Sequence, residues 1–211
     1  MRATQVAGGL GRGASAVVVR LAILLVVLGA TCYQCLPSAD ARDRSLRRGP
    51  AADAYPWAGE RGPAFDPWGF VARQCTSYVA WYLNAHGVPF GLRTRGPAGE
   101  GLFTSASDRD RAARTAGFAV RSTPAVGSIA QWDAGESSPP PPSPSSPDDV
   151  DAARYRTVQA RGFGHVAVVQ QVLDDGAVVI SEYNGADGTF RVLVTRAPRY
   201  LYIGVGADRR R

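Results

Sequence analysis

Six strand-like stretches follow residue 117 with only one long interruption and no helix between them, and this order restricts the fold more than any other feature. They cover 118–121, 127–132, 165–173, 177–183, 189–195 and 200–204. Parallel neighbours need a crossover connection, usually helical, so strands without helices between them pair antiparallel. Two helical patterns come first. One spans about 74–86, with Val79, Tyr82 and Leu83 at helical spacing and Gly87 and Pro89 as its stop. The other spans about 108–116, with Ser107 and Asp110 spaced as a capping box and Gly117 after it. Helices followed by strands predict an α+β domain, its N-terminal helices packed on an antiparallel β-sheet.

The chain has 211 residues, which suits one domain with appendages. Its 45% hydrophobic and 20% charged residues exclude wholesale disorder. No glycine-rich phosphate loop follows a strand-like run, which disfavours a nucleotide enzyme. The net charge is +6, and all 24 basic residues are Arg. They are spread along the chain and read as a solvated surface suited to anionic partners, with no nucleic acid expected.

The first 41 residues read as a signal peptide. Arg2, Arg12 and Arg20 precede an apolar run over 21–30, shorter than the ~20 residues a membrane span requires. Ala39 and Ala41 supply small residues at a cleavage site. An uncut anchor that includes Val17, Val18 and Val19 is the alternative, and it is the one membrane contact expected. Cleavage of 41 of the 211 residues leaves 170, lowers the charge to +4 and removes Cys32 and Cys35. Cys75 is then a lone thiol in an exported protein, localised outside the cell or at the wall. Residues 42–54 form a flexible lead-in, 55–205 the domain, and 206–211 a basic tail. Pro139 to Pro142, Pro144 and Pro147 mark a Pro/Ser-rich insertion over about 133–161.

Cys75 opens the first helix, where amides and the helix dipole favour a thiolate. A small buried core residue is the competing reading. His86 lies eleven residues further on, about 16 Å along the axis, too far to reach the thiol. It suits the helix C-terminus instead. Elimination leaves His165, at the start of its strand. Asp175-Gly176 favours a two-residue type I′ turn. That register pairs Ala167 with Asn184 and Val169 with Glu182, so both polar groups share the face of His165, Asn184 diagonal to it. A three-residue turn would reverse the parity and place both on the far face.

The residues around these groups resemble the CHAP family, cysteine, histidine-dependent amidohydrolases/peptidases that act on bacterial peptidoglycan. Four pieces occur in the family's order: Asp66-Pro67-Trp68-Gly69 with Arg73-Gln74-Cys75-Thr76-Ser77-Tyr78; Thr123-Pro124-Ala125-Val126-Gly127-Ser128 leading to Trp132; Gly164-His165-Val166-Ala167; and Ser181-Glu182-Tyr183-Asn184. The resemblance implies a papain-like fold with Cys75 as nucleophile, His165 as general base, Glu182 as orienting acid and Asn184 as a second polar helper. It implies cleavage of an N-acetylmuramoyl-L-alanine or peptide bond, through a thioester and without a cofactor. Calcium is not expected, since Asp66 is the one acid in the ten residues before Cys75. A monomer acting on peptidoglycan is expected. A wall-binding module without catalysis and a secreted cysteine peptidase acting on proteins are the alternatives.

Overall fold

The computed structural model describes residues 54–60, 64–141, 154–183 and 188–205. The signal-peptide reading, most of the lead-in, the centre of the proline-rich stretch, Asn184 and the basic tail lie outside the described residues. The elements are α1 (Cys75–Ala85), β1 (Arg93–Gly96), β2 (Gly99–Leu102), α2 (Arg109–Ala116), β3 (Val120–Arg121), β4 (Ile129–Trp132), β5 (His165–Val172), β6 (Val178–Tyr183), β7 (Phe190–Thr195) and β8 (Arg199–Leu201). Strands β3 to β8 form one sheet in the order β3-β8-β4-β5-β6-β7, antiparallel throughout. Few helices and a mostly antiparallel sheet make this an α+β fold.

Alternation along the strands sorts the core into two clusters. Val166 and Val168 of β5, with Ile129 and Leu201, pack against Tyr78, Val79, Ala80 and Leu83 of α1. Ala167, Val169, Ile180 and Trp132 form the other cluster. Val158 and Ala160 belong to that second cluster, so the proline-rich stretch is not an unpacked loop at its ends. Its two flanks hold each other: Ser138 N–H donates to Val158 O at 2.9 Å and Ala160 N–H to Glu136 O at 2.9 Å. Arg199 of β8 pairs with Glu136 at 2.6 Å and with Asp133 at 3.0 Å, anchoring the outgoing flank. Proline composition hides this, because Tyr155, Val158 and Ala160 are the residues that pack.

Two expectations are corrected. Ser107 does not cap α2; the N-cap is Asp108, which accepts from Ser105 Oγ at 3.0 Å, while Ser107 Oγ accepts from Ala134 N–H at 3.0 Å. The β5–β6 turn is not the two-residue type. Leu173 N–H donates to Ala177 O and Gly176 N–H to Leu173 O, which closes a three-residue loop over 174–176 with Gly176 at φ 82°. A bulge between Val169 and Gln171 then shifts the register once more, so Val168 faces Ser181 and Val169 faces Ile180. Carried on, this register places Glu182 opposite Ala167 and diagonal to His165. The two one-residue departures restore the parity that either alone reverses.

The hairpin β1–β2 carries no alternating apolar pattern and is not among the elements expected from the sequence. It forms because glycines let it lie against α2. A Cβ on Gly101 would sit 2.4 Å from the carbonyl oxygen of Ala112. Gly101→Ala is therefore expected to lower stability by about 1–3 kcal/mol, read as a lower denaturation midpoint. An unchanged midpoint would mean that this close contact does not form.

Candidate active site

The chain enters α1 through a constrained approach. Asp66, buried, accepts at Oδ1 from the backbone N–H of Trp68 and of Phe70, at 3.0 and 2.8 Å, which folds the lead-in back on itself. Arg73 has φ 62°, the left-handed region that a non-glycine residue enters at a cost of about 1–3 kcal/mol. Three contacts hold it there. Its N–H donates to Tyr55 Oη at 2.9 Å, and its guanidinium donates to Glu60 O and Gly188 O. Tyr55 in turn shares a buried 2.7 Å hydrogen bond with Ser77 of α1. Cys75 follows two residues later as the first residue of the helix, and no side-chain cap closes that end.

Cys75 is a free, partly exposed thiol. It lies in a cleft of about 580 Å³ with His165, Phe65, Phe163, Arg161 and Thr104 among its walls. Burial alone raises the thiol pKa. The charge and hydrogen bond of His165, the Val166 amide and the charge of Arg109 outweigh it and hold Cys75 below the ordinary value. His165 is buried beside Trp132. Burial lowers its pKa, but the thiolate and then Glu182 raise it well above the usual imidazole range. The two shifts share their largest favourable cause, the mutual attraction of thiolate and imidazolium.

Glu182 is fully buried, and both oxygens are used. Oε2 meets His165 Nε2 at 2.6 Å. Oε1 accepts from Arg191 Nε at 2.7 Å and from Arg191 Nη2. Burial raises this carboxyl, and the bond and charge of His165, followed by Arg191, bring it below the usual carboxylate range. With Nε2 engaged by Glu182, Nδ1 is the imidazole nitrogen left for the thiol.

The structure thus brings together Cys75, His165 and Glu182. Asn184 lies outside the described residues, and the diagonal position expected for it belongs to Glu182. His86 ends α1 instead, with its Nδ1 2.7 Å from Tyr82 O. Two contributors escaped sequence reading. Arg191 faces Glu182 directly across the β6–β7 pair, a match that a hairpin register centred on 184–189 would have supplied. Arg109 is fully buried between the rings of Phe70 and Phe90, 4.7 and 5.2 Å from their centroids. It donates to Thr76 O at 3.4 Å, while its Nε and Nη1 have no hydrogen-bond partner among the described residues. Burial lowers its pKa to about 10, against the raising effect of Cys75 and Asp66, so it stays charged at neutral pH. An Arg opening a short polar helix carries no sign of burial in the sequence.

A model of the CHAP domain family matches residues 65–184. No curated protein matches the chain. Among solved structures, an N-acetylmuramoyl-L-alanine amidase from Staphylococcus aureus is 22% identical with a TM-score of 0.45, over 67% of this chain and 33% of that one. This chain therefore spans about a third of that protein's length.

Alkylation of Cys75 by iodoacetamide, followed against pH, is expected to titrate below the ordinary thiol pKa of about 8.5. His165→Ala moves the midpoint up toward that value, and Arg109→Met moves it up by less. A wild-type midpoint at the ordinary value would refute the ion pair.

Proposed function

The chain belongs to the CHAP domain family, and from that premise we propose that it is a peptidoglycan hydrolase that opens an amide bond by cysteine catalysis. The observation that carries this reading is the contiguous set Cys75, His165 and Glu182, with a thiol below and an imidazole above their ordinary pKa values. A nucleophile at a helix N-terminus, a base at the start of a strand and an orienting acid on the next strand support a papain-like arrangement.

In this mechanism the Cys75 thiolate attacks the amide carbonyl carbon. The C=O electron pair moves to oxygen, and the backbone amide of Cys75 donates to that oxyanion. The intermediate collapses to a thioester as the C–N bond breaks, and the His165 imidazolium gives its proton to the departing nitrogen. Water then attacks the thioester, His165 takes a proton from it, and the carboxyl product leaves. Glu182 holds the imidazole in place and stabilises its charged form, and Arg191 keeps Glu182 ionised. Asn184, two residues after Glu182 in the sequence, is proposed as a second polar helper.

The bond cut is the N-acetylmuramoyl-L-alanine linkage or a peptide bond of the stem or bridge. Mass spectrometry of soluble products from purified peptidoglycan distinguishes them: intact stem peptides mark the former, shortened stems or opened bridges the latter. Cys75→Ala is expected to abolish release. Release that survives this substitution would sink the cysteine mechanism. Retained wall binding by an inactive wild type would favour a binding module, and cleavage of unfolded protein but not wall would favour a protein peptidase.

The pH profile follows from the pair. Activity needs thiolate and imidazolium together. It is lost as pH falls through the lowered pKa of Cys75, and again as pH rises through the raised pKa of His165, about 10. A kcat/KM profile flat across neutral pH is expected, and an acid limb at the ordinary thiol value would contradict it.

Export with cleavage after Ala41 is part of the proposal. N-terminal sequencing of protein recovered outside the cell is expected to begin at Arg42. An intact N-terminus would favour the uncut anchor.

A further inference from the structure

The turn that delivers His165 also displays two side chains to the cleft. Its backbone is fixed from three directions. Gly164 N–H donates to Arg161 O at 2.8 Å, Ser107 N–H to Phe163 O at 3.0 Å, and Ala160 N–H to Glu136 O at 2.9 Å. Gly164 has φ +74°, and a Cβ there would lie 2.5 Å from Ser107 Oγ and 2.7 Å from Trp132 O. A support this crowded leaves the turn little freedom to move.

On that support Phe163 is 82% exposed, the most exposed of the large apolar residues described. Phe65, 69% exposed, lines the same cleft. Fold packing does not account for a phenyl ring held in water by a rigid turn, and its position beside Cys75 and His165 does. Arg161, two residues earlier, is also exposed and lines the cleft. Its guanidinium forms no hydrogen bond or ion pair with the described residues, whereas Arg191 and Arg199 are each engaged by carboxylates. Among the described residues lining the cleft none is Asp or Glu, and the Cys75 thiolate and His165 imidazolium offset each other, which leaves Arg161 as the unbalanced charge. The mouth therefore carries net positive charge at Arg161, suited to an anionic ligand.

We propose that Arg161 and Phe163 form a carboxylate-reading subsite, the guanidinium pairing with a free carboxylate of the substrate peptide and the ring covering the apolar side chain next to it. The inference rests on the hydrolase reading for the identity of the substrate, an acidic wall peptide. A planar guanidinium matches a carboxylate in bidentate geometry. The fixed backbone lowers the ordering cost of binding.

The test compares stem peptides with free carboxylates and the same peptides with those groups converted to carboxamides. Wild type is expected to cleave the free form about five- to tenfold faster in kcat/KM. Arg161→Ala removes that preference with little effect on the amide form. Arg161→Glu inverts it, and Phe163→Ala weakens both forms alike. The preference shrinks as salt rises, since the pair is exposed. Equal cleavage of both forms by wild type, or an equal loss on both in Arg161→Ala, overturns the subsite. If wild type cleaves neither form, the hydrolase reading fails instead. Calorimetry with Cys75→Ala then decides the subsite alone: binding of the free-carboxylate peptide that disappears on adding Arg161→Ala upholds it, and no binding overturns it.

Discussion

A fully buried carboxylate, Glu182, sets the terms for the site around it. An ionised group without solvent survives in a protein only when its oxygens are paired, and removing one partner of such a set costs about 3–5 kcal/mol. His165 takes one oxygen and Arg191 the other. These three residues come from three adjacent strands, β5, β6 and β7, so the half of the sheet that ends at edge strand β7 holds a line of alternating charge. The line ends at the thiol. Glu182 engages Nε2 of the imidazole, turns Nδ1 outward, and favours the protonated ring that in turn favours a thiolate. The pKa values of Cys75, His165 and Glu182 thus move together and are properties of one buried unit.

The helix contributes its end rather than its length. Along its buried face α1 is ordinary core, with Tyr78, Val79, Ala80 and Leu83 against the sheet. At its start the backbone is held by an unusual set of contacts. Arg73 occupies a left-handed conformation because Tyr55 receives its N–H and two carbonyls receive its guanidinium. Tyr55 packs edge-on against Trp57, Tyr78 and Trp81, so this anchor is itself inside an aromatic cluster. Beneath the same turn Arg109 contributes a charge that burial would normally exclude. The faces of Phe70 and Phe90 replace part of its lost hydration. Stability spent at residues 73 and 109 holds a thiol where its negative charge is tolerated.

Much of this was legible in the chain, and the residues show why the rest was not. The helix after Gln74 and the six strands have periodic or continuous apolar patterns, and those patterns follow from which side chains meet the core. Cys75 and His165 were accessible because the candidates were few and helix geometry removes His86. The hairpin β1–β2 was hidden because it meets α2 through the absence of side chains at Gly101, and a missing atom leaves no hydrophobic signal. Arg109 and Arg191 were hidden for another reason. Arg is ordinarily a surface residue, and only its tertiary partners distinguish a buried guanidinium from a solvated one. The packed flanks of the proline-rich stretch were masked by composition, since the few residues that bury themselves sit among many that do not.

The position of Glu182 came from sequence by a route that the structure alters at both steps. Side chains alternate with a period of two, so any single-residue change between His165 and Glu182 sends the carboxylate to the helix-facing side of the sheet. There it would lie among Tyr78, Val79 and Leu83, on the face away from the His165 imidazole. The three-residue turn makes one such change and the bulge at Gln170 makes another. The bulged residue is itself used, as Gln170 Nε2 donates to Ser181 Oγ at 2.7 Å and Tyr78 donates to the same oxygen at 2.8 Å. Turn and bulge are therefore coupled features. Removing either alone displaces the acid from His165, so the link between the Glu182–Arg191 pair and the imidazole requires both, although neither touches it.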